Sequence, residues 1–348
     1  MCTDTPRGSG GESPLPEPGV DRLDRLIVNA LQVEPRASWT KIGSVLGVDA
    51  ATVARRWIRL RAAGLVWVTA SESSPGLGRR AVVEVECAGN PLELAEELAR
   101  DRECRTLDIV SGGRNLLLGV GTADEAGLAD YVLTRLGAGP QVRAVRTQLV
   151  TSFTRDPGEW RLGELSPDQL ERLTGPGPRD AAARDAAACD ALTRFEREVV
   201  AALHEDGRMP ATRIAARTGV PVRRARETVH RLLAQQRVLL WTDVARAMSG
   251  RSVQAWYFIR VPARRLTGVA ARLARLEEAR LVVAAVGTYN LAMCVWMREL
   301  TDVTRLEARI EDGLEGVQIA DRCITLRTVK RAGYLLDAQG RRSGRGPV

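Results

Sequence analysis

Apolar residues recur at helical spacing near the start of the chain. Leu23, Ile27, Val28 and Leu31 share one face, and the same pattern returns at Phe195, Val199, Val200 and Leu203, with Asp24 and Glu196 in matching places. The match continues: Glu34-Pro35-Arg36, Ile42, Gly47-Val48 and Arg59-Leu60 correspond to Asp206-Gly207-Arg208, Ile214, Gly219-Val220 and Arg231-Leu232. An internal repeat, offset by 172 residues and later by 175, organises the chain. In the first copy Ser38 is placed to cap a helix ending at Leu46, Gly47 to break it, and Asp49 to cap a longer helix over 50–63, with Val53, Trp57 and Leu60 facing inward. This is helix-turn-helix spacing, and Trp67-Val68-Thr69 reads as a wing strand beyond it.

After each helical unit the pattern changes to apolar strands separated by two helices. The first copy predicts strands near 81–87, 106–111, 116–121 and 142–150 with helices near 92–100 and 125–136. The second predicts strands near 253–261, 281–286, 291–297 and 317–329 with helices near 266–276 and 303–312. The order βαββαβ is a ferredoxin-like plan. The expected fold class is α+β, with two winged helix-turn-helix domains (20–70 and 192–244) alternating with two ferredoxin-like domains (78–154 and 251–332). An arm (1–19), a linker (155–191) and a frayed tail (333–348) complete the plan, and Ser166-Pro167-Asp168-Gln169 predicts one short helix within the linker. Helices on one face of each sheet leave the other face free for pairing, in a homo-oligomer or within the chain.

Composition narrows the chemistry. The 348 residues are 45% hydrophobic and 27% charged, a globular balance, and no apolar run reaches the roughly 18–20 residues of a membrane span. Met1–Val20 lacks the basic and apolar regions of a signal peptide, which favours a cytoplasmic protein. Six scattered cysteines form no C-x-x-C pair and read as buried small hydrophobes. Only His204 and His230 are histidines, so no metal site, cofactor or acid-base dyad is expected, and the chain reads as not an enzyme.

The net charge is +8, nearly all the bases being arginine, and it is concentrated. Residues 20–68 carry +4 and residues 194–241 carry +5, leaving −1 for everything else. Two basic helical units on a neutral scaffold point to double-stranded DNA as partner. Thr52, Arg55, Arg56 and Arg59 cluster on one face of the longer helix as the candidate reader, joined by Ser38 and Lys41 on the preceding helix. The second unit offers Arg223, Arg224 and Arg231 but places Glu227 and Thr228 where the first has Arg55 and Arg56, and Pro221 where Asp49 caps. Base reading, phosphate anchoring and a structural role all remain open for it.

These helices and turns, together with Gly64-Leu65-Val66 and the Gly112-x-x-Asn115-Leu116 hairpin, resemble the Lrp/AsnC (feast/famine) family of transcriptional regulators over about 21–153 and, more weakly, 192–331. The resemblance implies a tandem fusion of two family members, each a DNA-binding domain joined to a RAM domain that dimerises and often binds amino acids. It implies a sequence-specific, nucleoid-associated regulator and places an amino-acid or small-metabolite effector at Gly112, Asn115, Gly287 and Asn290. The family commonly carries Gly-x-x-Asp there; neutral asparagine removes the charge that would meet an ammonium group. These residues can equally serve as tight turns. Two other readings stand beside this one: an architectural DNA- or protein-binding module with little sequence specificity, and an enzyme resembling the siroheme decarboxylases, which share the architecture and its tandem form.

Overall fold

The computed structural model describes residues 19–72, 79–174 and 192–345. Local signals produce the first unit. Helix α1 (Arg22–Val33) begins in a reciprocal capping box between Asp21 and Asp24. Helix α2 (Trp39–Leu46) starts at Ser38, whose side chain accepts the Lys41 N–H, and ends at Gly47 in the left-handed conformation, φ +70°. Helix α3 (Ala50–Ala62) is capped by Asp49, which accepts from the N–H groups of Ala51 and Thr52. Strand β1 (Val66–Glu72) follows.

The first βαββαβ unit comprises β2 (Arg80–Cys87), α4 (Pro91–Leu98), β3 (Cys104–Val110), β4 (Leu116–Gly121), α5 (Glu125–Asp130, continuing as a π-helical stretch over Tyr131–Leu136) and β5 (Val142–Arg155). Helix α6 (Pro167–Thr174) stands where the capping box predicted it. The second copy repeats the series as α7 (Arg194–Glu205), α8 (Ala211–Thr218), α9 (Val222–Ala234) and β6 (Val238–Val244), then a short α10 (Arg246–Ser249). Next come β7 (Val253–Arg260), α11 (Leu266–Ala274), β8 (Ala279–Val286), β9 (Leu291–Met297), α12 (Thr301–Gly313) and β10 (Gln318–Arg331). A hairpin of β11 (Tyr334–Leu336) and β12 (Arg342–Arg345) ends the described chain.

The tertiary arrangement corrects the expected separation into four domains. Strand β1 is no wing of its own unit; it pairs antiparallel with β6 along its whole length. Val66 pairs with Val244 three positions to one side of the Thr69–Trp241 pair, and Glu72 with Val238 three positions to the other, so the ribbon has a pseudo-two-fold axis there. The two four-stranded sheets also merge. Strand β5 pairs with β8 and β10 with β3, closing a single eight-stranded antiparallel barrel in the order β10-β3-β4-β2-β5-β8-β9-β7. β5 and β10 are long enough to satisfy their own sheet at one end and the other copy's edge at the other, so no eight-stranded edge is left open.

Alternation sorts the strand residues into layers. Ala81, Val83 and Val85 of β2 pack outward beneath α4 and α5, and Ala255, Tyr257 and Ile259 of β7 beneath α11 and α12. Val82, Leu117, Trp256, Phe258, Val283 and Cys294 fill the barrel. Cys87, Cys104, Cys294 and Cys323 are buried and unpaired, as expected of small hydrophobes; Cys2 and Cys189 lie outside the described residues.

The linker up to Thr174 is a packed strap. Asn29 Oδ1 in α1 accepts the N–H groups of Glu164 (2.8 Å) and Leu165 (3.0 Å), Gln32 Oε1 accepts that of Leu162 (2.9 Å), and Trp160 is buried edge-on against Trp296. The glycine- and proline-rich run at 175–178 lies outside the described residues, as does residues 1–18 of the arm. The tail, expected to fray, is instead the β11–β12 hairpin: Tyr334 packs on Trp67 and donates its hydroxyl to the His204 carbonyl (2.9 Å). Gly64, φ +69°, lets Arg342 approach closely enough to donate its N–H to the Gly64 carbonyl (2.8 Å); a Cβ there would strike the Arg342 backbone.

Candidate nucleic-acid interface

Val53, Trp57 and Leu60 anchor α3 in the core of the first unit, which turns the opposite side of the helix outward. The predicted reading face divides into two groups. Arg56 donates to Asp21 (2.6 Å) and Asp24 (3.0 Å), and Arg59 to Asp24, whose side chain is fully buried. The two carboxylates raise the Arg56 pKa further. Both arginines thus brace α3 against the start of α1. Arg55 is exposed with no ion pair or hydrogen bond among the described residues, and Thr52 lies beside it half-buried. On α2, Lys41 pairs with Glu34, and exposed Ser38 uses its hydroxyl as the cap.

In the second unit Arg231 and Arg237 reach Glu196, the counterpart of Asp24, so Arg231 repeats the brace made by Arg59. Arg223 pairs with Glu227 on the surface of α9 (2.9 Å), and Arg224 lies 5.1 Å from the Phe195 ring centroid. Arg226 and His230 are exposed on the same helix. Pro221 supplies no side-chain cap.

The two units are clasped to each other by a feature not anticipated from the sequence. Arg36 donates to the carbonyls of Gly207 (2.6 Å) and Met209 (3.0 Å), and its counterpart Arg208 donates to Pro35 (2.6 Å) and Ala37 (2.8 Å). The contacts are reciprocal, residue for residue, about the same axis as the ribbon. Arg208 also stacks on Trp39 at 3.9 Å, and burial pushes its pKa down to about 10, which leaves it charged at neutral pH. The Pro35-Arg36 and Gly207-Arg208 match was visible in the repeat, but nothing in the linear order says that each arginine serves the other copy.

At the hairpins, Asn115 Oδ1 accepts the Cys87 N–H (2.7 Å). Asn290 accepts the Val261 N–H (2.9 Å) and donates to its carbonyl (2.6 Å). Both side chains tie a turn to the neighbouring strand. Gly112 has φ +97°, whereas Gly287 has no positive φ; a Cβ on Gly287 would run into Gln148 of β5, so a close approach requires that glycine.

The barrel interior holds a second set of charged groups missed in the sequence. Arg114 bridges Glu84 (2.9 Å) and Asp321 and lies 4.4 Å from the Phe258 ring centroid. Asp108, fully buried, accepts from Thr328 (2.6 Å), Gln254 (2.7 Å) and Trp256 (3.0 Å), and burial raises its pKa. Where the barrel meets the β1–β6 ribbon, Arg280 of β8 pairs with buried Asp243 of β6 (3.1 Å) and stacks on Trp296 (4.0 Å). Among the described residues no group of histidines, cysteines and carboxylates is arranged to hold a metal, and no helix is long and apolar enough to cross a membrane.

Residues 20–61 match the model of the AsnC-type helix-turn-helix domain. Over 140 residues, 39% of this chain, it is 29% identical to an uncharacterised HTH-type transcriptional regulator of Pyrococcus furiosus, covering 95% of that protein. A regulator of the same description from Pyrococcus abyssi is 27% identical over 140 residues, again 39% of this chain and 89% of that protein. The first helical unit is thus similar to the AsnC-type helix-turn-helix domain. Helix-turn-helix and relatives together support a DNA-binding transcriptional regulator.

One comparison corrects the expectation that this chain is not an enzyme. The crystal structure of the siroheme decarboxylase NirDL covers 89% of this chain and 93% of its own, with a TM-score of 0.59 at 15% identity. The fold over 89% of this chain is therefore one that an enzyme also uses. At that identity the likeness concerns the fold alone.

Proposed function

We propose that the protein is a sequence-specific, DNA-binding transcriptional regulator whose two helical units are presented together by one chain. The observation that carries this reading is Arg55: on the longer helix of an AsnC-type helix-turn-helix, it projects to solvent while its neighbours Arg56 and Arg59 are engaged by Asp21 and Asp24. An arginine so placed can take guanine O6 and N7 bidentately. Thr52 lies one turn before it on α3, and on α2 the surface pair of Lys41 with Glu34 is weak enough to exchange for a phosphate. A cytoplasmic place at the nucleoid goes with this reading, as does higher assembly. Effector sensing at Gly112, Asn115, Gly287 and Asn290 is its finer part; the hydrogen bonds of both asparagines favour the turn role, and a thermal-shift screen of amino acids and small metabolites tests the other.

The experiment is genome-wide mapping of the DNA bound by the intact protein and by Arg55→Ala. Discrete peaks that collapse in the variant are expected. Unchanged peaks would remove α3 as the reader, and salt-dependent binding without preferred sites would favour an architectural role. A second reading, decarboxylation of a sirohaem-type tetrapyrrole, is favoured by the whole-chain likeness to NirDL. Titrating the protein with an iron uroporphyrin and watching for a shift of its absorption band separates the two.

A further inference from the structure

The two outward faces of α3 and α9 are not copies of each other. At equivalent positions, taken at the offset of 172 residues, α3 presents Ala51, Thr52, Arg55 and Ile58, and α9 presents Arg223, Arg224, Glu227 and His230. Of these eight, all but half-buried Thr52 are exposed, and Ile58 retains 65% of its accessible surface. The scaffolding behind them is conserved between copies: Asp24 with Arg59 and Glu196 with Arg231 brace the helices in the same way. On these two helices the brace is kept while the outward side chains differ at all four positions.

The clasp and the ribbon relate these faces. Arg36 and Arg208 exchange hydrogen bonds reciprocally, and the β1–β6 register is symmetric about Thr69 and Trp241, so both helices belong to one pseudo-two-fold unit inside a single chain. Two readers related by a two-fold axis meet the two strands of a duplex in inverted orientation. When the readers are identical the site is a palindrome. Here they are not.

We propose that the DNA recognised by this chain is an inverted but unequal pair of half-sites, read on one side through Arg55 and on the other through Glu227 with Arg223 and Arg224. The inference rests on the DNA-binding reading above. The first half-site centres on a guanine, which the Arg55 fork matches, with Thr52 and Ala51 suited to a thymine methyl group. The second centres on a cytosine whose exocyclic amine donates to the Glu227 carboxylate. In the free protein that carboxylate is held by Arg223 across one helical turn, both side chains being largely exposed at 89% and 63%. So open a pair contributes little, and opening it frees Arg223 for the adjacent phosphate or guanine.

Selection of bound duplexes from a random pool by the full-length protein tests this. The expected motif is two different half-sites in inverted orientation, about 10 base pairs from centre to centre. Arg55→Ala should lose roughly tenfold to hundredfold discrimination in the guanine half-site only, and Glu227→Ala a similar factor in the other half-site only. Both residues are exposed, and matching thermal transitions will show that the variants fold. A motif with equal half-sites, or a Glu227→Ala variant that selects the unchanged sequence, overturns the proposal while leaving DNA binding intact. A pool with no enriched sequence overturns both this and the sequence-specific reading above, and retention of duplex without a motif would leave the architectural role.

Discussion

Asp24 and Glu196 hold the same place in the two copies of the chain and engage the same counterpart arginines, Arg59 and Arg231. Glu84 and Phe258 also hold equivalent places, as do Arg114 and Tyr289, yet these pairs have diverged completely. The first kind of position lies within a unit that must fold in the same way twice. The second lies in the barrel, where the copies meet each other. Two identical halves would set two copies of Glu84, Arg114 and Asp108 inside one small barrel. In this chain the first copy supplies those charges and the second supplies Trp256, Phe258 and Tyr289 to pack against them. Every side-chain donor recorded on Asp108 (Thr328, Gln254 and Trp256) comes from the other copy. Divergence has turned a self-complementary interface into one between unlike halves.

The sharpest way to break this comparison is Arg114→Ala. It strands Glu84, a carboxylate only 2% exposed, without its cationic partner, and should cost about 3–5 kcal/mol in urea unfolding. A loss below about 1 kcal/mol would mean that the interior charges are incidental to closing the barrel. Next in size, Asp24→Ala and Glu196→Ala should each cost about 1–3 kcal/mol, and by similar amounts, because in both cases the released arginines can reach water. Markedly unequal losses would show that the two braces are not equivalent.

A smaller effect separates the long helices of the two units. Asp49→Ala should cost about 1 kcal/mol by removing the cap of α3, whereas Pro221→Ala removes no side-chain hydrogen bond from α9 and should leave the midpoint nearly unchanged. The last prediction concerns acid. The Thr193 backbone N–H, its hydroxyl and the arginines Arg231 and Arg237 hold the Glu196 carboxyl below its usual pKa. A carboxylate depressed in the folded state stabilises it above the unfolded value, near 4.3, and that contribution disappears as pH falls through the lower folded value. The stability gap between the parent protein and Glu196→Gln should therefore narrow from pH 7 to pH 3; a constant gap would remove the ion pair as its source.

Much of the molecule was legible from local chemistry. Ser38, Gly47 and Asp49 mark helix ends because caps and left-handed glycines act within three or four residues, and all three act as expected. Strand positions followed from alternation, and β9 runs over Leu291–Met297 as anticipated. The basic face of α3 was visible too. Its division into a free Arg55 and two braced arginines was not, because Asp21 and Asp24 sit more than 30 residues away in the chain.

By itself the sequence determined the duplication, the kind of each element and the concentration of positive charge in two helical units, since all of these depend on near neighbours and on counting. Only the tertiary structure decided which edges meet. The β1–β6 ribbon, the closed barrel, the strap over α1 and the Arg36–Arg208 clasp join residues that are more than 100 positions apart. A strand's outer edge shows the same N–H and C=O groups whatever its side chains are, and a buried arginine carries no sign of which carbonyl it will meet. The physical reason is that backbone hydrogen bonding and burial are satisfied by geometry in three dimensions, where the two copies become each other's partners.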